Sequence, residues 1–394
     1  MLAPAINPVL DIASFANSRV AGLYVHIPFC FHKCHYCDFY SITRQTPERM
    51  SRFVDLLLRQ AEEYSPWQPR TVFFGGGTPS LLPPQDMERL LRGLAERIDL
   101  TTMDEWTVEC NPATLTRDYC VMLRQLGVNR LSFGAQSFDS NELKILERHH
   151  DPEDVPRSLE MARSAGFERL NIDLIYAIPG QSLAAWMRSL RHAMALGLNH
   201  LSCYGLTYES NTPMAVRKRL GQIRSVDESV ELEMLHETRA CLIDHGLPPY
   251  EISNYAAPGQ ECRHNLVYWN GENYLGLGPS AASHIDGTRW KSPPHLGEWE
   301  SAVASRKPAV IDLEILDPQR RAAELVYLQL RLSHGIDFTD FAVRAGFDAR
   351  SLYAGQMSSL QSAGVITIDS TGFRLSERGI DVADSVAAEF LRTC

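Results

Sequence analysis

The chain has 394 residues, 44% hydrophobic and 22% charged, with a formal net charge of −10. At roughly 150 residues per domain this length suits one large domain and one smaller one, and the hydrophobic share excludes global disorder. The acidic balance argues against non-specific nucleic-acid binding, no apolar run approaches the roughly 20 residues that cross a bilayer, and residues 1–22 lack a basic stretch followed by an apolar core, so a cytoplasmic location is the expectation.

Residues 1–20 read as a short N-terminal arm. From there to residue 245, short apolar runs alternate with amphipathic stretches. The expected strands are Gly22–Ile27, Thr71–Phe74, Trp106–Cys110, Arg130–Gly134, Leu170–Tyr176 and His200–Leu206. They are short, apolar and rich in β-branched or aromatic residues. The expected helices are Pro47–Tyr64, Pro84–Ile98, Leu115–Leu126, Asp154–Ala165, Leu183–Leu196 and Ser229–His245. Gly127, Gly166 and Gly197 stand where helices end in a left-handed residue. This alternation predicts repeated βαβ units and a parallel sheet, open or barrel-like, with ligands at the C-terminal ends of the strands. Residues 246–317 read as a connecting segment, within which Pro248–His295 is rich in Gly, Pro, Asn and aromatics and reads as loops. Residues 318–394 predict helices at Arg321–Leu332, Asp337–Ala345 and Ser351–Ala363, a wing from Val365–Ile368 and Gly372–Leu375, and a closing helix over Ser376–Leu391. That is a winged-helix shape, and its lack of a basic recognition helix favours a structural or docking role.

Nine cysteines are present. Cys30, Cys34 and Cys37 cluster in one loop after the first strand. Cys110, Cys120, Cys203, Cys241 and Cys262 read as buried small hydrophobes, and Cys394 as a free terminal thiol. A cluster of three in a long cytosolic chain points to a metal site rather than a disulfide framework. Three thiolates on one loop suit a [4Fe–4S] cubane and leave one iron open. The competing reading is a structural zinc site completed by His32 or His35, but zinc sites usually arrive as two spaced pairs. Gly75-Gly76-Gly77-Thr78-Pro79 follows the second strand. Alone it is a tight turn, and beside the cysteine loop it becomes a seat for a ligand's amino group. Glu109, Gln136 and Asp173 stand at or near the ends of three apolar strands, and their convergence on one rim suggests a binding site. Arg148 is expected in a helix after the fourth strand, with a solvated surface charge as its other reading.

With these residues in place, the chain resembles the radical-SAM proteins related to oxygen-independent coproporphyrinogen III oxidase. The resemblance rests on LYVHIPFCFHKCHYCDFYS, FFGGGTPS, VECNP, RLSFGAQSF, LNIDLIYAIPGQ and HLSCYGLTYE, in that order. It implies a partial (β/α)6 barrel with a smaller, mainly helical, winged-helix-like C-terminal domain. It implies that Cys30, Cys34 and Cys37 bind the cluster. Tyr24, Tyr36, Gly76, Gly77, Thr78, Glu109, Gln136, Arg148 and Asp173 would line the S-adenosylmethionine site. The family's chemistry reduces S-adenosylmethionine to methionine and a 5′-deoxyadenosyl radical, with the protein positioning the cofactor.

Two branches of this family differ. The oxidases carry a fourth cysteine two residues after the third, where this chain has Phe39, and a longer N-terminal arm than the roughly 20 residues that precede the first strand here. Both departures match the heme chaperone branch, whose members lack the oxidase activity. The resemblance therefore implies heme as a ligand, transfer to a heme-acceptor protein, which includes respiratory-chain acceptors, and room for peripheral membrane association. It leaves oligomeric state open. That branch also carries His-Asn-x-x-Tyr-Trp, present as His264-Asn265-Leu266-Val267-Tyr268-Trp269. An imidazole ligates heme iron and flat aromatics cover a porphyrin. The plain alternative is that His264 and Asn265 pin a loop while Tyr268 and Trp269 pack as core aromatics.

Overall fold

The structure is a computed structural model that describes residues 10, 12–15, 17–63, 67–307 and 309–391. Tyr64, Cys394 and much of the 1–20 arm lie outside the described residues.

Six parallel strands form the centre: β1 Gly22–Ile27, β2 Thr71–Gly76, β3 Glu105–Cys110, β4 Arg130–Gln136, β5 Arg169–Tyr176 and β6 His200–Gly205. They lie side by side in chain order, each parallel to the next. Helices Pro47–Glu63, Pro84–Arg97, Arg117–Gln125, Asp154–Ser164 and Leu183–Ala195 connect them. Gly127, Gly166 and Gly197 follow three of these helices with positive φ. A parallel crossover needs such a helix, and its apolar stripe supplies the sheet's cover. Phe74, Trp106, Phe133 and Trp186 are fully buried in this layer, each stabilising it by about 1.5–3 kcal/mol relative to exposure.

The sheet does not stop at six strands. β7 Asn254–Ala256 pairs antiparallel with β6, and β8 Tyr274–Leu277 pairs parallel with β1. β9 Ala282–Ile285, β10 Thr288–Lys291 and β11 Ile311–Ile315 continue outward antiparallel. The result is an open eleven-stranded sheet with β11 and β7 at its edges, a mixed α/β architecture with a central parallel sheet and no closed barrel among the described residues. The connecting segment 246–317 thus supplies five strands and the helices Arg263–Trp269 and Leu296–Ala304, and Pro248–His295, expected to be loops, holds four of those strands and the first of those helices. Strands of three to five residues carry too few alternations to show a period of two.

The C-terminal region has its own core, with Phe341, Tyr353, Phe373 and Phe390 almost fully buried. Its small sheet joins β12 Ile336–Asp337, β14 Gly372–Leu375 and β13 Ile366–Ile368 in that spatial order. The expected helix Ser351–Ala363 is two, Ala349–Leu352 and Ala354–Ser362. The closing helix is also two, Glu377–Ile380 and Ala383–Leu391.

Candidate functional site

The registers place Tyr24, Phe73, Thr107 and Arg130 on one face of the sheet, with Glu109, Ser132, Asn171 and Asp173 on the same face nearer the strand ends. This face is polar near the strand ends, where the opposite face is apolar. Above it opens a cavity of about 980 Å³.

The cysteine loop begins where Pro28, which lacks an N–H, ends β1. Its base is tied by Cys30 N to Ile42 O at 2.9 Å and Ile42 N to Pro28 O at 2.8 Å. Cys30 and Cys34 are buried, Cys37 is half-buried, and all three thiols are free and line the cavity. Burial pushes the Cys30 thiol up, partly offset by the hydrogen bond from Thr78. Burial likewise pushes Cys37 up to about 11. Thiols held protonated this way release protons when a metal binds, so loading favours higher pH. Arg148, expected in a helix, lies past the end of helix Ser140–Ile145, where it reaches Cys34 Sγ at 3.8 Å while its Nη2 donates to Gly134 O at 2.7 Å.

The glycine run has a mechanical reason. Gly76 has φ +100°, and a Cβ there would strike the His26 ring at 2.4 Å. A Cβ on Gly77 would meet the carbonyl oxygens of Phe29 and Ile27 at 2.7 and 2.8 Å. These glycines let the end of β2 lie against the start of the cysteine loop, where Gly77 N bonds Ile27 O and Thr78 N bonds Phe29 O. Thr78 Oγ1 then reaches Cys30 Sγ at 3.6 Å.

Glu109 and Asp173 face each other across Ser132. Burial, then the Asp173 charge, raises the Glu109 carboxyl to about 8. Burial also raises Asp173, opposed by hydrogen bonds with Ser202, Asn171 and Ser132. Gln136 sits at a bulge in β4 with φ +65°, an unusual conformation for a non-glycine residue. Tyr36, Gly76, Gly77, Thr78, Glu109, Gln136, Arg148 and Asp173 all line the cavity together with the three cysteines.

Two expected site residues lie elsewhere. Tyr24 is beneath the cavity lining, bonded to His26 Nδ1 at 3.2 Å and stacked on Phe73. His264 lies at the opposite end of the strands on helix Arg263–Trp269, 1% exposed. Its Nδ1 bonds Thr71 Oγ1 at 2.8 Å, its Nε2 bonds Tyr268 Oη at 2.9 Å, and its ring stacks on Phe73. Burial lowers its pKa to about 3. Both nitrogens are engaged within the fold. The buried Glu105 holds the start of this helix, accepting from the backbone N–H groups of Arg263 and His264 at 3.1 Å each and pairing with Arg169 at 2.9 Å.

The Radical SAM superfamily model matches residues 24–193, and the HemN C-terminal domain model matches residues 316–382. A Lactococcus lactis protein named heme chaperone HemW is 33% identical over 368 residues, which is 93% of this chain and 96% of that protein. The chain belongs to the radical-SAM HemW family. Two further HemW proteins are similar: one from Bacillus subtilis, 32% identical over 93% of this chain and 98% of its own, and one from Escherichia coli, 38% identical over 67% and 70%. Among solved structures, coproporphyrinogen III oxidase (HemN) from Escherichia coli, a radical SAM enzyme, matches with a TM-score of 0.83 over 96% of this chain and 92% of that one, at 23% identity. At that identity the match shows a shared fold.

Sequence reasoning missed several residues of this HemW-family site. Gly134 leaves room for Arg148, since a Cβ there would lie 2.8 Å from Nη2. Asn171 donates to Ser132 Oγ at 2.7 Å, Asp173 Oδ1 at 2.9 Å and Ser202 Oγ at 3.1 Å, fixing the Asp173 carboxyl from below. The available signal was alternation: polar residues recur every second position in β4, β5 and β6 at Arg130, Ser132, Asn171, Asp173, His200 and Ser202. Phe31 and Phe39, 77% and 65% exposed, stand on the cavity wall.

Proposed function

We propose that this chain is a cytoplasmic heme chaperone: it binds heme and passes it to an acceptor protein, over a centre that holds a [4Fe–4S] cluster and S-adenosylmethionine. The observation that carries this reading is the rim itself. Three free thiols on one loop share a cavity with Arg148 and two carboxyls, and the position two residues past Cys37 carries the exposed Phe39 rather than a fourth thiol. The near full-length similarity to proteins named heme chaperones supports it. We take the domains as an arm 1–20, a core 21–245, a connecting segment 246–317 and a C-terminal domain 318–394.

The residues fit the implied groups. Cys30, Cys34 and Cys37 would hold the cluster, while Cys110, which also lines the cavity, donates to Val108 O within its own strand. A cluster so held supplies, when bound, an electron and one open iron position. Arg148 sets positive charge beside Cys34, as thiolate-rich centres require. Gly76, Gly77 and Thr78 present backbone close to the cysteine loop. Glu109 and Asp173, kept toward their neutral forms by burial, ionise when a cationic ligand arrives, and S-adenosylmethionine brings a sulfonium and an amino group. Gln136 and Tyr36 complete the walls. His264 serves the fold, because its two ring nitrogens are already bonded.

The test is anaerobic reconstitution with iron and sulfide followed by hemin titration. A cluster in the wild type, absent from Cys30→Ala/Cys34→Ala/Cys37→Ala, with a saturable Soret band is the expected result. A cluster without heme binding overturns the chaperone reading, and turnover of coproporphyrinogen III would replace it with the oxidase activity.

A further inference from the structure

At the cavity mouth, three side chains that the cluster reading does not use converge. His32 projects from the cysteine loop. Glu147 and His149 flank Arg148 in the segment after helix Ser140–Ile145. Alternate residues of this segment do different work. Arg148 turns in toward Cys34, while Glu147 and His149 turn toward His32. The two loops are tied by His35 N donating to Leu146 O at 3.3 Å.

The three ligand atoms lie within 4.8 Å of one another. His32 Nε2 is 3.6 Å from Glu147 Oε2, and His149 Nε2 is 3.9 Å from the same oxygen. The imidazoles meet edge to face with centroids 4.3 Å apart. Two donors on one tetrahedral zinc stand about 3.3 Å apart, given metal–ligand bonds near 2.0 Å. Sub-ångström side-chain movements therefore close these two separations around an ion. His32 Nε2 is also shielded from solvent and has no hydrogen-bond partner, which is costly for a polar atom and is relieved by a ligand. Solvent still reaches the group: the side chains of His32 and Glu147 are 38% exposed and that of His149 57%.

We propose that His32, Glu147 and His149 bind one divalent transition-metal ion of the zinc class at the cavity mouth, apart from the three cysteines. Two imidazoles and a carboxylate leave a coordination position open to water or to a passing ligand, the arrangement of exchangeable rather than structural sites. A porphyrin iron offers one position per face, so three donors gathered on one side suit a bare ion.

The test uses the full chain, anaerobically loaded with its cluster so that the thiols are occupied. Equilibrium dialysis against zinc with metal analysis is expected to find one zinc per chain beyond the cluster iron. His32→Gln/His149→Gln is expected to lose that equivalent while its cluster absorbance stays unchanged. As a second arm, cobalt(II) added to folded Cys30→Ser/Cys34→Ser/Cys37→Ser is expected to give ligand-field bands without a thiolate charge-transfer band. Absence of the extra zinc, its retention in the double histidine variant, or uptake confined to chains with bare cysteines would overturn the proposal. So would hemin binding that depends on these histidines without zinc binding, although the chaperone reading would then stand. Zinc bound in this way by a chain that takes up no heme sinks the chaperone reading alone.

Discussion

At the scale of single residues, burial sets the protonation of the site. Glu109 is raised to about 8 by desolvation and then by Asp173. A cationic ligand that needs the ionised carboxylate must release this proton. Affinity for S-adenosylmethionine is therefore expected to rise about tenfold per pH unit between about 6 and 7.5, the slope that one coupled proton gives. Glu109→Gln should flatten that slope, and calorimetry at several pH values reads it directly. Burial shifts the His264 imidazole the other way, downward. Its folded pKa is about 3 against an ordinary 6.5. Below 6.5 the unfolded chain takes up a proton that the folded ring refuses, so its contribution to stability falls as pH drops from 6.5 toward 3. His264→Asn should cost about 2–4 kcal/mol at pH 7.5 through lost packing and unpaired Thr71 and Tyr268 hydroxyls. The gap to wild type should then narrow by about 1.4 kcal/mol per pH unit below 6.5 in urea unfolding. Saturable heme uptake that survives this change would place the heme contact elsewhere than His264.

At the scale of elements, the site depends on how strand ends meet. Gly77→Ala drives a Cβ into two backbone carbonyls that cannot move without the cysteine loop. A loss of about 2–3 kcal/mol is expected, with cluster loading reduced in iron and sulfide analysis. Glu105→Gln removes the charge that Arg169 pairs with and that caps helix Arg263–Trp269. Leaving buried cations unpaired costs about 3–5 kcal/mol, so thermal melting should fall without any change to the cavity's own residues. The six central strands and the C-terminal elements were legible because local patterning marks them. Apolar runs, helix stops at Gly127, Gly166 and Gly197, and motifs at strand ends are local signals. β7 through β11 were not, because three to five residues in a Gly- and Pro-rich stretch become strands only through partners far along the chain, as Tyr274–Leu277 does beside Gly22–Val25. The rim residues read at strand ends converge in one cavity. Tyr24 and His264 came with the family pattern, and nothing in a linear motif says that a ring's two nitrogens are taken. The pairing of His32 with Glu147 and His149 spans more than a hundred residues and carries no spacing rule.

At the scale of the whole molecule, a few cations couple the C-terminal core to the sheet. Arg331 stacks over Trp269 and bonds Asp384 while lying 3.8 Å from Glu251, and Arg344 donates to the carbonyl of Asn270. Arg331→Ala/Arg344→Ala should uncouple the two cores, so that calorimetry resolves a low-temperature shoulder for the C-terminal region in place of one transition. No helix among the described residues is long and apolar enough to cross a membrane. Helix Arg263–Trp269 has a further consequence. By seating its buried face on Thr71, Phe73 and Glu105, it covers the strand starts, while the cavity opens at the other ends of the strands. There the carboxyls of Glu109 and Asp173 and the side chains of Phe31, Phe39 and His149 line a single space. A guest lodged beside those rings is therefore expected to slow the escape of a guest at the carboxyls in a chase experiment, while touching none of the groups that hold it.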